Sequence, residues 1–352
     1  MNKILILGGT GAMGIYLVSH LSKQYDCYVT TRQQLASKSP NIHYIQGNAH
    51  EETFLFKLLD KEWYAIIDFM IYSTADFKKL INHFLDATGQ YVYISSARVY
   101  SNVDSVITEQ SPRLIDSCTD EVYLKTDEYA LAKGRQENML FNSGKNNWTI
   151  IRPYVTYSDK RLQLGPMEKE HWLYRALQGR PIVMPRDISE KTTTLTFGND
   201  VASGIASIIG KDDAKGQAFH ITSPHSLKWK DVAEIYSDVL SSIVKCRVPI
   251  CYVDRWTKRL GGGVYQVKYD RSYDRRFDNS KIAKFIDVNS FIPVTDGLTH
   301  CLRNFCNHPS FHPISFASEG YKDRLCLCRT PFGEIHDIKN EIKYFLTRYI
   351  IN

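Results

Sequence analysis

An α/β fold, with a doubly wound parallel sheet and a smaller C-terminal domain, is predicted by three features of the sequence. Short apolar runs alternate with amphipathic segments through the first half. A glycine-rich loop directly follows the first apolar run. After Arg152-Pro153 the alternation becomes irregular. Strands alternating with helices indicate right-handed βαβ units and a parallel sheet. A chain of 352 residues is too long for one small core and has room for a second domain.

The expected strands of the first half are Lys3–Leu7, Cys27–Thr31, Ile42–Gln46, Ala65–Ile71, Tyr91–Ser95 and Trp148–Arg152. Segments with helical apolar spacing, such as Met13–Leu21 and Glu52–Leu59, lie between them. Further on, Leu173–Leu177 reads as helix and Gly179-Arg180-Pro181 as a break. Thr192–Phe197 is a β-branched strand, Asp200–Ile209 a helix, Ala218–Thr222 a strand and Trp229–Leu240 a helix. Gly261 to Arg276 reads as a loop and Ile335–Tyr349 as a terminal helix. The expected division is a first domain of residues 1–155 and 193–223 and a second of 156–192 and 224–310. Residues 311–352 form a C-terminal extension of no evident role.

The loop Gly8-Gly9-Thr10-Gly11-Ala12-Met13-Gly14 joins the first strand to the first helix, with glycines spaced GxxGxxG. One glycine allows a sharp turn, a second leaves room for a pyrophosphate, and a third lets helix and strand pack closely. The helix N-terminus then presents unpaired N–H groups to phosphate. This is the dinucleotide-binding arrangement of a Rossmann-type domain. Glycine triplets also occur in ordinary turns, but here the strand–loop–helix context is the required one. The second strand ends Val29-Thr30-Thr31-Arg32, without the carboxylate that would bond an adenosine ribose. Hydroxyls and a guanidinium suit a 2′-phosphate instead, so NADP is the expected cofactor, with NAD possible. The competing role for Arg32 is stacking on adenine or plain solvation.

Tyr129-Ala-Leu-Ala-Lys133 sits in a helical stretch, and residues four apart share a helix face. A phenol is a poor acid or base at its free pKa of about 10, and a neighbouring ammonium lowers that value. Tyr91-Val-Tyr-Ile-Ser95-Ser96 reads as a buried strand ending in two serines, and open α/β sheets place ligands at strand C-termini. Ser96 there can bond a substrate oxygen. In the simpler alternative, the serines terminate the strand and cap the next turn of the chain.

These motifs resemble an extended short-chain dehydrogenase/reductase of the nucleotide-sugar epimerase/dehydratase family. The matching segments are Gly8–Gly14, Ser95-Ser96-Ala97-Arg98-Val99-Tyr100, Tyr129–Lys133, Ile151-Arg152-Pro153, Asp200-Val201-Ala202 and Asp278-Asn279-Ser280-Lys281-Ile282. The resemblance implies a catalytic group of Ser96, Tyr129 and Lys133. It implies cofactor contacts from Gly8, Thr10, Gly11, Ala12, Met13, Gly14, Thr31, Arg32, Asn48, Tyr129, Lys133 and Pro153. Candidate substrate contacts are Ser96, Arg98, Tyr154, Arg161, Arg271 and Arg275. Two departures stand out. Dehydratases of this type carry an Asp-Glu pair where this chain has Ala97-Arg98. The arginine common just before Asp-Val-Ala is replaced by Thr192, Thr193 and Thr194. The implied activity is reduction of a nucleotide-activated keto-sugar, with an NAD-dependent epimerase as the alternative and a cofactor-binding protein without chemistry as the remote one. A homodimer is implied as well.

Composition narrows the remaining classes. Hydrophobic residues are 43% and charged residues 23%, with a net charge of +6. That mild excess suits an anionic ligand such as a nucleoside diphosphate. No Lys/Arg-rich run carries a recognised nucleic-acid motif, so no nucleic-acid partner is expected. No stretch approaches the roughly 20 apolar residues of a membrane span. Met1-Asn2-Lys3 runs straight into Ile4–Leu7 without a cleavage site, so the expected location is the cytoplasm. The eight cysteines are expected to be reduced thiols. Cys301, Cys306, Cys326 and Cys328 lack zinc-site spacing, and no metal is expected.

Overall fold

The computed structural model describes residues 1–37 and 39–350, so the last two residues of the expected C-terminal extension lie outside the described residues. The chain divides into two compact units. The first holds residues 1–156, 195–224 and 277–292, and the second holds 157–194, 225–276 and 293–352. Two points differ from the sequence expectation. Residues 277–292 belong to the first unit, and the segment from 311 onward is integral to the second.

In the first unit, β1 (Lys3–Leu7) leads through the glycine loop into α1 (Gly14–Leu21). Then come β2 (Asp26–Thr31), β3 (Ile42–Gln46), α2 (Glu52–Leu59), β4 (Ala65–Asp68), α3 (Thr74–Asp86) and β5 (Tyr91–Ile94). The helix Tyr129–Phe141 and β6 (Trp148–Pro153) follow. The strand Gln217–Ile221 closes a seven-stranded sheet of order Gln217–Ile221, β6, β5, β4, β1, β2, β3. Every pairing is parallel. This is the Rossmann-type doubly wound sheet. Its strand order reverses between β1 and β4, and that switch point opens a crevice at the strand C-termini.

Successive side chains of a strand face opposite sides of the sheet. Accordingly Ile4 and Ile6 pack with Leu17 and Val18 of α1 and with Val201 and Ile205 of the helix Gly198–Ile208. Leu5 and Leu7 pack with Phe77, Leu80 and Phe84 of α3. Each such fully buried side chain contributes about 1.5–3 kcal/mol. The apolar run expected to continue β4 to Ile71 stops at Asp68. There the carboxylate accepts the Met70 N–H at 2.9 Å and turns the chain out of the sheet, leaving Ile71 exposed.

In the second unit, the strand Ile182–Pro185 pairs in parallel with Ile250–Val253. Thr192–Thr193 pairs antiparallel with Leu227–Lys228. The expected strand Thr192–Phe197 is therefore two short pieces, Thr192–Thr193 and Thr196–Phe197. Helices Lys169–Leu177 and Trp229–Val244 meet where Trp172 stacks on Tyr236 at 4.3 Å. The segment from Gly261 to Arg276, expected as loop, contains a helical turn at Val264–Gln266 and a π-turn at Val267–Arg271, with Tyr265 stacked on Tyr269. Helices Val294–Asn307, Phe316–Leu325 and Ile338–Phe345 complete the unit. Arg175 bridges Glu319 at 2.8 Å and Asp323 at 3.0 Å, all three buried. No helix among the described residues is long and apolar enough to cross a membrane.

Candidate active site

The glycines of the loop have separable structural roles. Gly8 takes φ +69°, which favours glycine, and its N–H donates to Thr30 Oγ1 at 3.0 Å. A Cβ on Gly14 would lie 2.5 Å from Gly9 O, so only glycine allows α1 to start against the loop. A Cβ on Gly11 would meet nothing nearer than Gly8 O at 3.8 Å, and Gly11 is exposed. Gly9, which the spacing argument passed over, is equally constrained: a Cβ there would lie 2.7 Å from Val29 and 2.8 Å from Ile6. Met13 caps α1 without any side-chain hydrogen bond. The N-terminus of α1 thus has no side-chain cap and faces a cradle that a side chain would fill. These features fit a dinucleotide pyrophosphate. Thr10, Ala12 and Met13 complete the loop and are partly exposed.

Around the adenosine end, Thr31 is buried and its Oγ1 accepts the Gln33 N–H at 3.2 Å, whereas Arg32 is exposed. Asn48 follows β3 and accepts the His50 N–H at 3.1 Å. Pro153 ends β6 opposite Ile221.

Tyr129 and Lys133 stand one turn apart on the helix Tyr129–Phe141. With Ile71, Tyr72, Ser73, Asp127 and Ala132 they line a cavity of about 300 Å³. Lys133 is 2% exposed. Its Nζ donates to Ile94 O at 2.8 Å and lies 4.5 Å from the centroid of the Tyr93 ring. Burial pushes the ammonium down to about 8, against the opposing pull of the Asp68 and Glu137 carboxylates. Asp68, fully buried at the end of β4, is pushed up to about 6 by burial. Hydrogen bonds from Tyr91 and Met70, and the Lys133 charge, hold it from rising further. The Tyr91 hydroxyl donates to Asp68 at 2.7 Å.

The two serines after β5 separate in role. Ser95 donates to Glu137 Oε1 at 2.7 Å and so ties the strand to the tyrosine helix. Ser96, 7% exposed, accepts the Arg98 N–H at 3.2 Å and caps a short 3₁₀ turn. Arg98 in turn places its guanidinium carbon 5.3 Å from the centroid of the Tyr129 ring. Its Nη2 donates to Glu128 Oε1 at 2.6 Å. Ser96, Arg98 and Tyr129 are therefore linked in sequence, while Tyr129 and Lys133 share a cavity wall.

Glu137, one turn beyond Lys133, receives both Nε and Nη2 of Arg152 at 2.8 Å. Arg152 also donates to the Tyr100 hydroxyl at 2.9 Å. This buried clamp fixes the tyrosine helix against β5 and β6. It accounts for the Ile-Arg-Pro segment as architecture. Asp68, Glu128 and Glu137 are the residues that sequence reasoning missed. An acid closing the apolar run Ala65-Ile-Ile-Asp68 was a readable signal; the other two had none.

Three expected substrate contacts are buried and have partners inside the protein. Arg271 is buried, paired with Asp270, and donates to Gly165 O at 3.1 Å. Arg275 is fully buried, bridges Asp270 at 3.1 Å and donates to Tyr269 O at 2.8 Å. Both guanidinium groups are committed within the second unit, because a buried cation is stable only when paired. Tyr154 is 2% exposed and packs on Phe277. Arg161 remains largely exposed and pairs with Glu168 at 3.3 Å. All eight cysteines are free thiols. Among the described residues no group of three His, Cys, Asp or Glu side chains is gathered to hold a metal ion.

The sheet, the glycine cradle and the tyrosine–lysine helix define an extended short-chain dehydrogenase/reductase. The profile of the NAD dependent epimerase/dehydratase family matches residues 4–222, and the chain belongs to that family. A curated relative, the chloroplast stem-loop binding protein of 41 kDa b of Arabidopsis thaliana, is 26% identical over 248 residues. The match takes in 66% of this chain and 61% of that protein. Among solved structures, a UDP-N-acetylglucosamine 4-epimerase from Methanobrevibacter ruminantium is 16% identical with a TM-score of 0.66. It covers 87% of this chain and 98% of that one. A UDP-glucuronic acid 4-epimerase from Bacillus cereus, in complex with UDP-glucuronic acid and NAD, is 15% identical with a TM-score of 0.64, over 87% of this chain and 99% of that one. A dTDP-glucose 4,6-dehydratase from Bacillus anthracis, in complex with NAD, is 15% identical with a TM-score of 0.63, over 88% and 97%. At these identities the structures share the fold.

Proposed function

We propose that this protein is an NAD(P)-dependent reductase of a nucleotide-activated keto-sugar. The observation that carries this reading is Tyr129 and Lys133 lining one cavity, with Lys133 bonded to Ile94 O at the C-terminal end of β5. The residues that would hold the cofactor are the loop Gly8–Gly14 with Thr31, Arg32 and Asn48 toward the adenosine, and Lys133 and Pro153 toward the nicotinamide ribose. When bound, the dinucleotide supplies the hydride. Tyr129 gives its phenolic proton to the carbonyl oxygen as that oxygen becomes a hydroxyl, and Ser96 donates a hydrogen bond to the same oxygen. Lys133, whose ammonium titrates at about 8, is mostly protonated at neutral pH and stabilises the tyrosinate left behind. Exposed Arg32 and the missing carboxylate after β2 favour NADP. Arg98 stands where a dehydratase would keep its second acid, which favours simple carbonyl chemistry over elimination.

Replacing Tyr129 with Phe is expected to lower turnover by roughly 10²–10⁴-fold and to leave cofactor binding intact. The assay offers nucleotide-sugars with NADPH and NADH. Near-normal turnover in this variant would remove Tyr129 from the chemistry. A net fall in reduced-nicotinamide absorbance marks a reductase. Substrate interconversion without such a fall, with the cofactor retained, marks an epimerase, as the epimerases sharing this fold suggest. A second reading, binding of an RNA hairpin, comes from the name of the plant relative. It predicts a stem-loop RNA band shift that survives in the Tyr129→Phe variant, together with no turnover of any nucleotide-sugar.

A further inference from the structure

We infer that Arg98 is a positioning residue for Tyr129, a second fixed cation that holds the phenol poised to give up its proton. This rests on the proton-donor reading of Tyr129. The guanidinium lies 5.3 Å from the ring centroid. A cation over an aromatic face is attracted to ring electron density. A phenolate ring carries more of that density than a phenol, so the contact strengthens on ionisation. Arginine is suited to the role because it stays charged at every working pH and stacks through a planar face. Its side chain is 14% exposed, so water screens it less than it would a surface charge.

Glu128 sets the guanidinium in place. Its Oε1 accepts from Arg98 Nη2 at 2.6 Å. Its Oε2 accepts the Ala130 N–H at 2.9 Å and the Tyr123 hydroxyl at 3.0 Å. One carboxylate thus caps the helix that carries Tyr129 and fixes the arginine above the ring. Arg98 Nε is buried without a hydrogen-bond partner. An unpaired buried N–H has a cost, which is understandable where the group is held for its charge.

Other titratable groups also face Tyr129. Lys133 and Asp127 line the same cavity, and Tyr72 faces it from beyond β4. Tyr93 of β5 lies close enough to interact electrostatically with Tyr129. The Asp127 carboxylate accepts from Thr74 and from Arg135. Lys133 donates to Ile94 O, and the Arg98 guanidinium lies over the Tyr129 ring.

The test is an ultraviolet titration of tyrosinate in the full-length protein saturated with oxidised cofactor. Subtracting the curve of the Tyr129→Phe variant isolates position 129. Arg98→Gln is expected to raise the Tyr129 midpoint by about one pH unit, a tenfold change in the ionisation constant. Arg98→Lys, which keeps the charge and loses the planar guanidinium, raises it by less. Glu128→Gln keeps an acceptor for Ala130 and removes the opposing charge, so it lowers the midpoint. An Arg98→Gln midpoint equal to wild type overturns the proposal while leaving the proton-donor reading intact. If Arg98→Gln does not fold, an unmoved midpoint in Glu128→Gln overturns it instead. A wild-type titration with no contribution from Tyr129 removes the proton-donor reading and this inference together.

Discussion

At the scale of single residues, Asp68 shows how one buried carboxyl couples strand geometry to the candidate site. It ends β4 by accepting the Met70 N–H, receives the Tyr91 hydroxyl, and lies within electrostatic reach of Lys133. Burial is the largest influence and pushes the carboxyl up to about 6, against about 3.9 for a free aspartate. Between those values the folded protein holds a proton that the unfolded chain has released. The unfolded state binds fewer protons there, so stability falls as pH rises from about 4 to about 6. Asp68→Asn has no such proton to lose. Its urea midpoint is expected to gain on wild type steadily across that window, and parallel curves would contradict the assignment. The Asn variant also strips Lys133 of a counter-charge, so the ammonium falls below its present value of about 8.

At the scale of elements, the strand–loop–helix unit β1–α1 separates close packing from ligand room. Gly14→Ala would drive a methyl to 2.5 Å from Gly9 O, and backbone cannot yield as a flexible side chain can. Overpacking of this kind costs about 1–3 kcal/mol, so a lower melting temperature and weaker dinucleotide binding are expected together. Gly11→Ala meets nothing closer than 3.8 Å. It is expected to melt like wild type and still lose affinity, because the methyl occupies the approach of the phosphate. Thermal unfolding and calorimetric titration with NADP and NAD distinguish the two. A Gly11→Ala protein that binds normally would show that the pyrophosphate does not pass there.

At the scale of the whole molecule, the chain builds each unit from separated segments, and buried ion clusters knit distant segments together. Within the second unit, Arg175 meets Glu319 and Asp323, Lys322 meets Glu319 at 3.0 Å, and the Tyr344 hydroxyl donates to Asp323 at 2.8 Å. Arg180 adds a bridge to Glu334 at 2.8 Å. The late segment is therefore a structural part of this unit. Arg175→Met would leave Asp323 buried without its cation and Glu319 with Lys322 alone. Breaking a buried cluster in this way costs about 3–5 kcal/mol, measurable as a fall in the denaturation midpoint. A loss below about 1 kcal/mol would mean that the cluster is far better hydrated than its burial indicates.

Much of the first unit was legible because its signals are local. Lys3–Leu7, Ile42–Gln46 and Glu52–Leu59 coincide with observed elements, since apolar period and turn chemistry act over a few neighbouring residues. The glycine loop and the Tyr129–Lys133 spacing were readable for the same reason. Folding alone decided which charges would find one another. Arg271 and Arg275 read as candidates for a phosphate, and both pair with Asp270. Arg98 looked like a substrate contact and lies over Tyr129 beside Glu128. Ion pairing depends on where distant segments meet, and a buried charge takes whichever partner the packing delivers. The sequence by itself determined the Rossmann-type sheet, its dinucleotide cradle and the tyrosine–lysine helix. The tertiary structure decided the electrostatic surroundings of that tyrosine, because they are contributed by β4, β5 and the turn after β5 as well as by its own helix.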